Sequence, residues 1–269
     1  MRILVTGASS GIGAAAVREL LVRGHRVHAA ARRPGPMEEL ARLGARTHTF
    51  DLAEPDSIEA LAAEILEGGN APDALVNNAG FGVFGSVEET PLDEARQQFE
   101  VKLFGLARLT RAFLPGMRQR GSGRIVNVSS IGGRVHTPLG AWYHASEHAL
   151  EGWSDCLRLE LRPHGIQVVV IQPGAVRTPF HETFLEGLLQ RSGAGPYADL
   201  AQRMAASTRR ASESPRATEP EAIAEVICRA IESPRPRTRY LCGHLARPVV
   251  WLRRLAGDRL YDKITETFT

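Results

Sequence analysis

The stretch RILVTGASSGIG, residues 2–13, decides the fold. Ile3, Leu4, Val5 and Thr6 make a run of strand length whose residues suit a buried, pleated environment. Small residues and glycines follow, and from Gly11 the chain reads GIGAAAVRELLVRG, a helical pattern ending at Gly24. Glycine at such a strand-to-helix turn permits a tight bend and close approach of the backbone to a pyrophosphate. The free N–H groups and dipole at the helix N-terminus favour the charge of that group. HRVHAAA then reads as a second strand and completes the start of a βαβ unit.

Outward from this unit the alternation continues. RTHTF to Phe50 reads as a strand, a helix follows Pro55, and residues 73–76 of DALVNNAG form a short strand. Thr90-Pro91 reads as an N-cap followed by proline at the first helical position, and opens a helix running to about Pro115. GRIVNVSS is the next strand; a Gly- and Pro-rich loop over residues 132–140 leads into a helix carrying Tyr143 that ends near Pro163. IQVVVIQPG is a further buried strand. Strands and helices in turn predict an α/β chain with a Rossmann-type, doubly wound parallel sheet in three α/β/α layers.

One domain is expected over residues 1–269. Regularity lapses over the polar residues 177–220, which read as a substrate lid inserted in that domain. A helix over 221–232 and a strand around Tyr240 and Leu241 complete the sheet, and residues 246–269 form an amphipathic tail. With Trp251 between arginines, the tail could lie on a membrane surface; docking on the body or on a partner subunit is the favoured reading.

Composition narrows the partners. With 43% hydrophobic residues the chain can bury a sizeable core, yet no run reaches the roughly 18 apolar residues that span a bilayer. The net charge of +3 comes from arginines scattered among acids, so an anionic cofactor is expected rather than nucleic acid. Cys156, Cys228 and Cys242 have no metal-ligand spacing; no metal is expected, and inert thiols suit a reducing cytoplasm.

The spacing Gly7, Gly11, Gly13 resembles the short-chain dehydrogenase/reductase family, as do NNAG (residues 77–80), Ser130 thirteen residues before Tyr143, and PGAVRT (residues 173–178). The resemblance implies a nicotinamide cofactor, redox chemistry on an alcohol or carbonyl, and a homodimer or homotetramer. It would place the cofactor against Gly7, Ser9, Ser10, Gly11, Ile12 and Gly13 of the turn, Asp51 and Leu52 at the adenine, Asn78, Ala79 and Gly80, Tyr143 and Glu147, and Pro173, Gly174, Val176 and Thr178. An acid at the end of the second strand would favour NAD, but this strand ends in Arg32 and Arg33, which favours the 2′-phosphate of NADP(H). Residues 80–85 and 135–138, Trp142 and residues 180–200, among them Phe81, Val83, His136 and Phe180, should line the substrate pocket, whose mix of apolar and small residues suggests a lipophilic carbonyl or alcohol.

By the same resemblance Tyr143 exchanges a proton with the substrate oxygen and Ser130 orients it. The family's lysine, one turn after the tyrosine, is here Glu147, and its asparagine on the long central helix is Lys102. Both lie among the catalytic positions, and both depart from the pattern. A unit charge about 4 Å away at an effective dielectric of about 20 is worth about 4 kcal/mol, or about three pKa units. An uncompensated glutamate would therefore nearly silence the tyrosine. Three readings stay open. In the first, Lys102 neutralises Glu147 and redox activity survives; in the second, the fold serves non-redox chemistry such as dehydration, epimerisation or cyclisation; in the third, the chain is a cofactor-binding pseudoenzyme or an engineered inactive form. His144 and His148, at i and i+4, read as packing or exposed residues.

Overall fold

The structure, a computed structural model, describes residues 1–67 and 71–268; residues 68–70 and 269, inside the domain and tail spans expected above, lie outside the described residues. Its centre is a parallel sheet of seven strands in the order β3-β2-β1-β4-β5-β6-β7. The strands are β1 (Arg2–Thr6), β2 (Arg26–Ala31), β3 (Arg46–Thr49), β4 (Ala74–Asn77), β5 (Gly123–Val128), β6 (Ile166–Pro173) and β7 (Arg239–Cys242). Register follows the apolar residues, with Ile3, Leu4 and Val5 opposite Val27, His28 and Ala29 on one side and Ala74, Leu75 and Val76 on the other.

Because side chains alternate across a strand, the sheet builds two cores. Ile3, Val5, Val126 and Ile171 meet α1 (Gly11–Val22) and α9 (Pro220–Glu232) on one face. Leu4, Leu75, Ile125 and Val168 meet α3 (Pro55–Glu67), α5 (Leu106–Arg120) and α6 (Ala141–Leu161) on the other. A short helix, α2 (Glu38–Arg42), links β2 to β3 and was not foreseen.

Three elements depart from expectation. Thr90 turns its hydroxyl back to the Ser86 carbonyl, 2.6 Å away, and Pro91 takes the N-cap of α4 (Leu92–Phe99). The helix passes through a π segment (Glu100–Gly105) into α5 and continues through Pro115 to Arg120, where Gly121 closes it in the left-handed conformation. Proline removes one backbone bond, but the buried face carried by Phe113 and Met117 runs straight across it. The expected lapse over 177–220 is instead a helical hairpin, α7 (Phe180–Ser192) and α8 (Ala198–Glu213). Its ends meet where Val176 pairs with Thr218, and its buried side, Phe184, Leu188, Ala201 and Met204, packs on Phe84, Leu139 and Tyr143. The last helix, α10 (Ala246–Phe268), is kinked at Gly257. No helix among the described residues is long and apolar enough to cross a membrane.

Candidate functional site

Strand order reverses between β1 and β4, and a cleft of about 650 Å³ opens beside the C-terminal ends of these strands, a size suited to a cofactor and part of a substrate. Thr6 ties its two walls together. The hydroxyl donates to the Val76 carbonyl (3.3 Å) and accepts from the N–H groups of Asn78 (3.0 Å) and Ala79 (3.1 Å), while Asn78 Nδ2 donates to the Thr6 carbonyl (3.1 Å). A Cβ on Gly7 would stand 2.8 Å from Ala79 Cα, and one on Gly13 only 2.2 Å from the Gly7 carbonyl oxygen. Only hydrogen fits at either place. Ser9, Ser10, Gly11 and Ile12 line the cleft where α1 begins, so this cradle at a helix N-terminus fits a dinucleotide pyrophosphate.

At one end of the cleft Arg32 and Arg33 face Asp51 and Leu52. Asp51 is fixed: its N–H donates to Ser57 Oγ and its Oδ1 accepts from the Ala53 N–H, both at 2.9 Å. Arg32 Nη1 lies 3.8 Å from Asp51 Oδ2 with 72% of the side chain exposed, which leaves the guanidinium weakly held and able to turn to an anion.

At the other end, Ser130 follows β5 and accepts a bond from the Gly132 N–H (3.0 Å). Tyr143 sits in the first turn of α6, with Glu147 one turn on and Lys102 reaching in from the π segment. Lys102 Nζ lies 2.8 Å from Glu147 Oε1 and donates to the Val128 carbonyl (3.0 Å); only 8% and 2% of the two side chains are exposed. Glu147 Oε2 is buried and makes no hydrogen bond of standard geometry, although the Ser129 and Tyr143 hydroxyls are near enough to act on it electrostatically.

Burial, above all, pushes the Tyr143 phenol well above its ordinary range; the charge of Glu147 pushes the same way, and the Ser130 hydroxyl opposes them in part. Burial likewise raises the Glu147 carboxyl, with Lys102 opposing. The site therefore favours a protonated tyrosine beside a glutamate whose negative charge depends on Lys102.

Residues 1–188 match the family model described as short chain dehydrogenase. The chain belongs to the short-chain dehydrogenase/reductase family. Among its relatives is the uncharacterised oxidoreductase YbbO of Escherichia coli K12, 35% identical over 265 residues that cover 98% of this chain and 93% of that one. A metagenomic short-chain oxidoreductase solved in complex with NADP is 30% identical, with a TM-score of 0.71 and coverage of 90% and 96%. A family member from Burkholderia phymatum solved with NAD is 25% identical, with a TM-score of 0.80 and coverage of 94% and 92%.

Within this short-chain dehydrogenase/reductase, most of the residues singled out from sequence line the one cleft, including Phe81 and Phe180. Four do not. Gly13 packs against the turn behind it, and Val83 is buried with its N–H on Gln98 Oε1 (2.8 Å). Trp142 lies outside the lining, and His136 turns away to Asp262 (3.0 Å) and the Tyr261 ring. The loop before Tyr143 is held by His144 instead: its Nδ1 lies 2.9 Å from the Gly132 carbonyl, and its Nε2 accepts from the Thr137 N–H (3.1 Å). His148 bonds only its own helix, and no group of residues fit to hold a metal occurs among the described residues. Sequence reasoning missed Gln97, Val101 and Ser129 as lining residues, whereas His181 and Thr183 fall within the segment 180–200 expected there. Gln97 comes from α4, Val101 from the π segment and Ser129 from the end of β5, placements that no local pattern announces.

Proposed function

We propose that the protein is an NADP(H)-dependent oxidoreductase that reduces a lipophilic carbonyl, with the Lys102–Glu147 pair as a rearranged part of its catalytic site. The observation that carries this reading is the buried 2.8 Å contact between those two residues. It offsets part of the charge of the glutamate, which still pushes the Tyr143 phenol upward. When bound, the cofactor would supply the hydride. Tyr143 would give its proton to the oxygen of the substrate, which Ser130 orients. Burial keeps the phenol in the protonated form that gives a proton to the substrate oxygen, while the same shift disfavours the phenolate left behind. Glu147 Oε2, lacking a strong partner, is available to accept bonds from cofactor ribose hydroxyls. Arg32 and Arg33 favour the 2′-phosphate, and the solved relative with NADP is in keeping with it, although another relative holds NAD.

Phe81 and Phe180 in the lining, backed by Phe84 and Phe184, support a lipophilic substrate, with α7 and α8 as the lid over it. We take the molecule to act as a homodimer or homotetramer in the cytoplasm, where its three free thiols would stay reduced.

A second reading rests on the same unpartnered oxygen. A buried carboxylate beside Tyr143 could itself move a proton in a dehydration, epimerisation or cyclisation. NADPH oxidation with lipophilic ketones and aldehydes separates the two. Turnover by the unmodified protein, abolished in Tyr143→Phe, is the expected result. Turnover only by the double variant Lys102→Asn, Glu147→Lys would transfer the case to the non-redox reading.

A further inference from the structure

The outer face of the first half of α10 is apolar, rimmed by arginine, and covered by nothing among the described residues. Ala246, Val249, Val250 and Arg253 turn toward the body: Ala246 is fully buried and the other three are partly so. Helical spacing then sends Pro248, Trp251, Leu252 and Leu255 outward as one stripe at i, i+3, i+4 and i+7. The exposures agree, at 51% for Trp251, 36% for Leu252 and 78% for Leu255. Arg247 and Arg254 border the stripe, and the Arg254 guanidinium lies 5.3 Å from the centre of the Trp251 ring. No acidic residue occurs between Ala246 and Gly257.

We propose that this stripe docks the protein on an anionic lipid surface. Leucines and tryptophan would enter the boundary between headgroups and acyl chains while the arginines reach lipid phosphates, the arrangement of a helix lying in the membrane plane. A second copy of the chain fits less well. Self-pairing would set arginine against arginine, over a stripe only two turns long, far short of the roughly 800 Å² per partner of a stable interface. The second half of α10 already has its place on the body, where the Tyr261 hydroxyl donates to the His136 carbonyl (3.1 Å) and Asp262 meets the His136 ring. The half after Gly257 is thus fixed to the loop that precedes Tyr143, and the bilayer-facing half joins it at the kink. The proposal is independent of the catalytic reading, and its test needs no substrate.

Flotation of the full chain with vesicles of phosphatidylcholine, alone or mixed with phosphatidylglycerol, tests it, with light scattering run in parallel. Binding to the mixed vesicles that weakens with salt is expected. Trp251→Glu with Leu255→Glu should abolish it. Arg247→Glu with Arg254→Glu should lower partition on the order of twentyfold or more, since each cation near such a surface is worth roughly fivefold. All four side chains are exposed, so an unchanged melting curve would show that the variants remain folded. Absence of binding to the mixed vesicles, or binding unaltered by the Trp251 and Leu255 changes, would overturn the proposal. So would a dimer that binds no vesicles and dissociates with those changes, because it would assign the stripe to a second copy.

Discussion

Removing one partner of the Lys102–Glu147 pair is a different perturbation from removing both. With Lys102→Met, Glu147 stays buried without its cation, and breaking a pair in this way is worth about 3–5 kcal/mol of stability. The loss should shrink as pH falls, because a glutamate already raised by burial then takes a proton. With Met at both positions no buried charge remains, and stability should return close to that of the unmodified protein. Urea unfolding of the two single variants and the double variant measures the coupling; a double variant as weak as Lys102→Met would mean that the pair is not what is being lost. His144 makes a second prediction. Burial pushes it down to about 4, and its Nε2 must stay unprotonated to accept the Thr137 N–H. Its contribution is complete above the ordinary histidine value near 6.5 and is lost as pH falls from there toward 4, on the order of 3 kcal/mol in all. His28, also pushed down to about 4 by burial, adds a loss of the same sign. Unfolding free energies at neutral and mildly acidic pH should therefore fall less steeply in His144→Gln, which can still donate and accept; equal slopes would refute the assignment.

The joint between β1 and α1 has no room for a side chain at Gly13. Gly13→Ala drives its Cβ into the Gly7 carbonyl, which is backbone and cannot swing aside, so a loss of about 1–3 kcal/mol is expected together with weakened dinucleotide binding. Gly152 is the contrast, an exposed glycine in α6 with nothing near its Cβ position, where Ala should stabilise by about 0.5–1 kcal/mol. Thermal melts of both variants check the pair of signs. These junctions also show what could be read from sequence. The βαβ beginning and the parallel sheet were legible because glycine spacing, buried apolar runs and helix punctuation are local signals, whereas most of the cleft residues beyond the glycine turn were named by resemblance to the family. The hairpin α7–α8 was not legible, since Phe184, Leu188, Ala201 and Met204 are few among charged neighbours and reveal their common face only against Phe84 and Leu139. The π segment has no local signature either. Gly105 sits where a Cβ would fall 2.0 Å from the Leu52 carbonyl oxygen, a long-range constraint that sequence periodicity does not carry. His136 was misjudged for a related reason, because its partners Tyr261 and Asp262 are far along the chain and arrive only with α10.

Cofactor binding joins the separate parts of the molecule, because the cleft takes its walls from β1, β2, β4, β5, β6 and the start of α7. A ligand that bridges them binds only the folded state, so it must raise the stability of the whole chain by mass action: about 2.7 kcal/mol at a hundred times the dissociation constant. In a chain of this length that corresponds to roughly 5–10 °C in Tm. If Arg32 and Arg33 read a 2′-phosphate, NADPH should raise Tm more than NADH at equal concentration, and the margin should vanish with rising salt because both guanidinium groups are exposed. Arg32→Asp should narrow or reverse the margin, since an added carboxylate beside Asp51 repels the phosphate and offers an acceptor to ribose hydroxyls. Equal shifts with both cofactors, unchanged in that variant, would remove Arg32 from cofactor choice. Because the melt reports binding alone, its result holds whichever way the Lys102–Glu147 pair directs the chemistry.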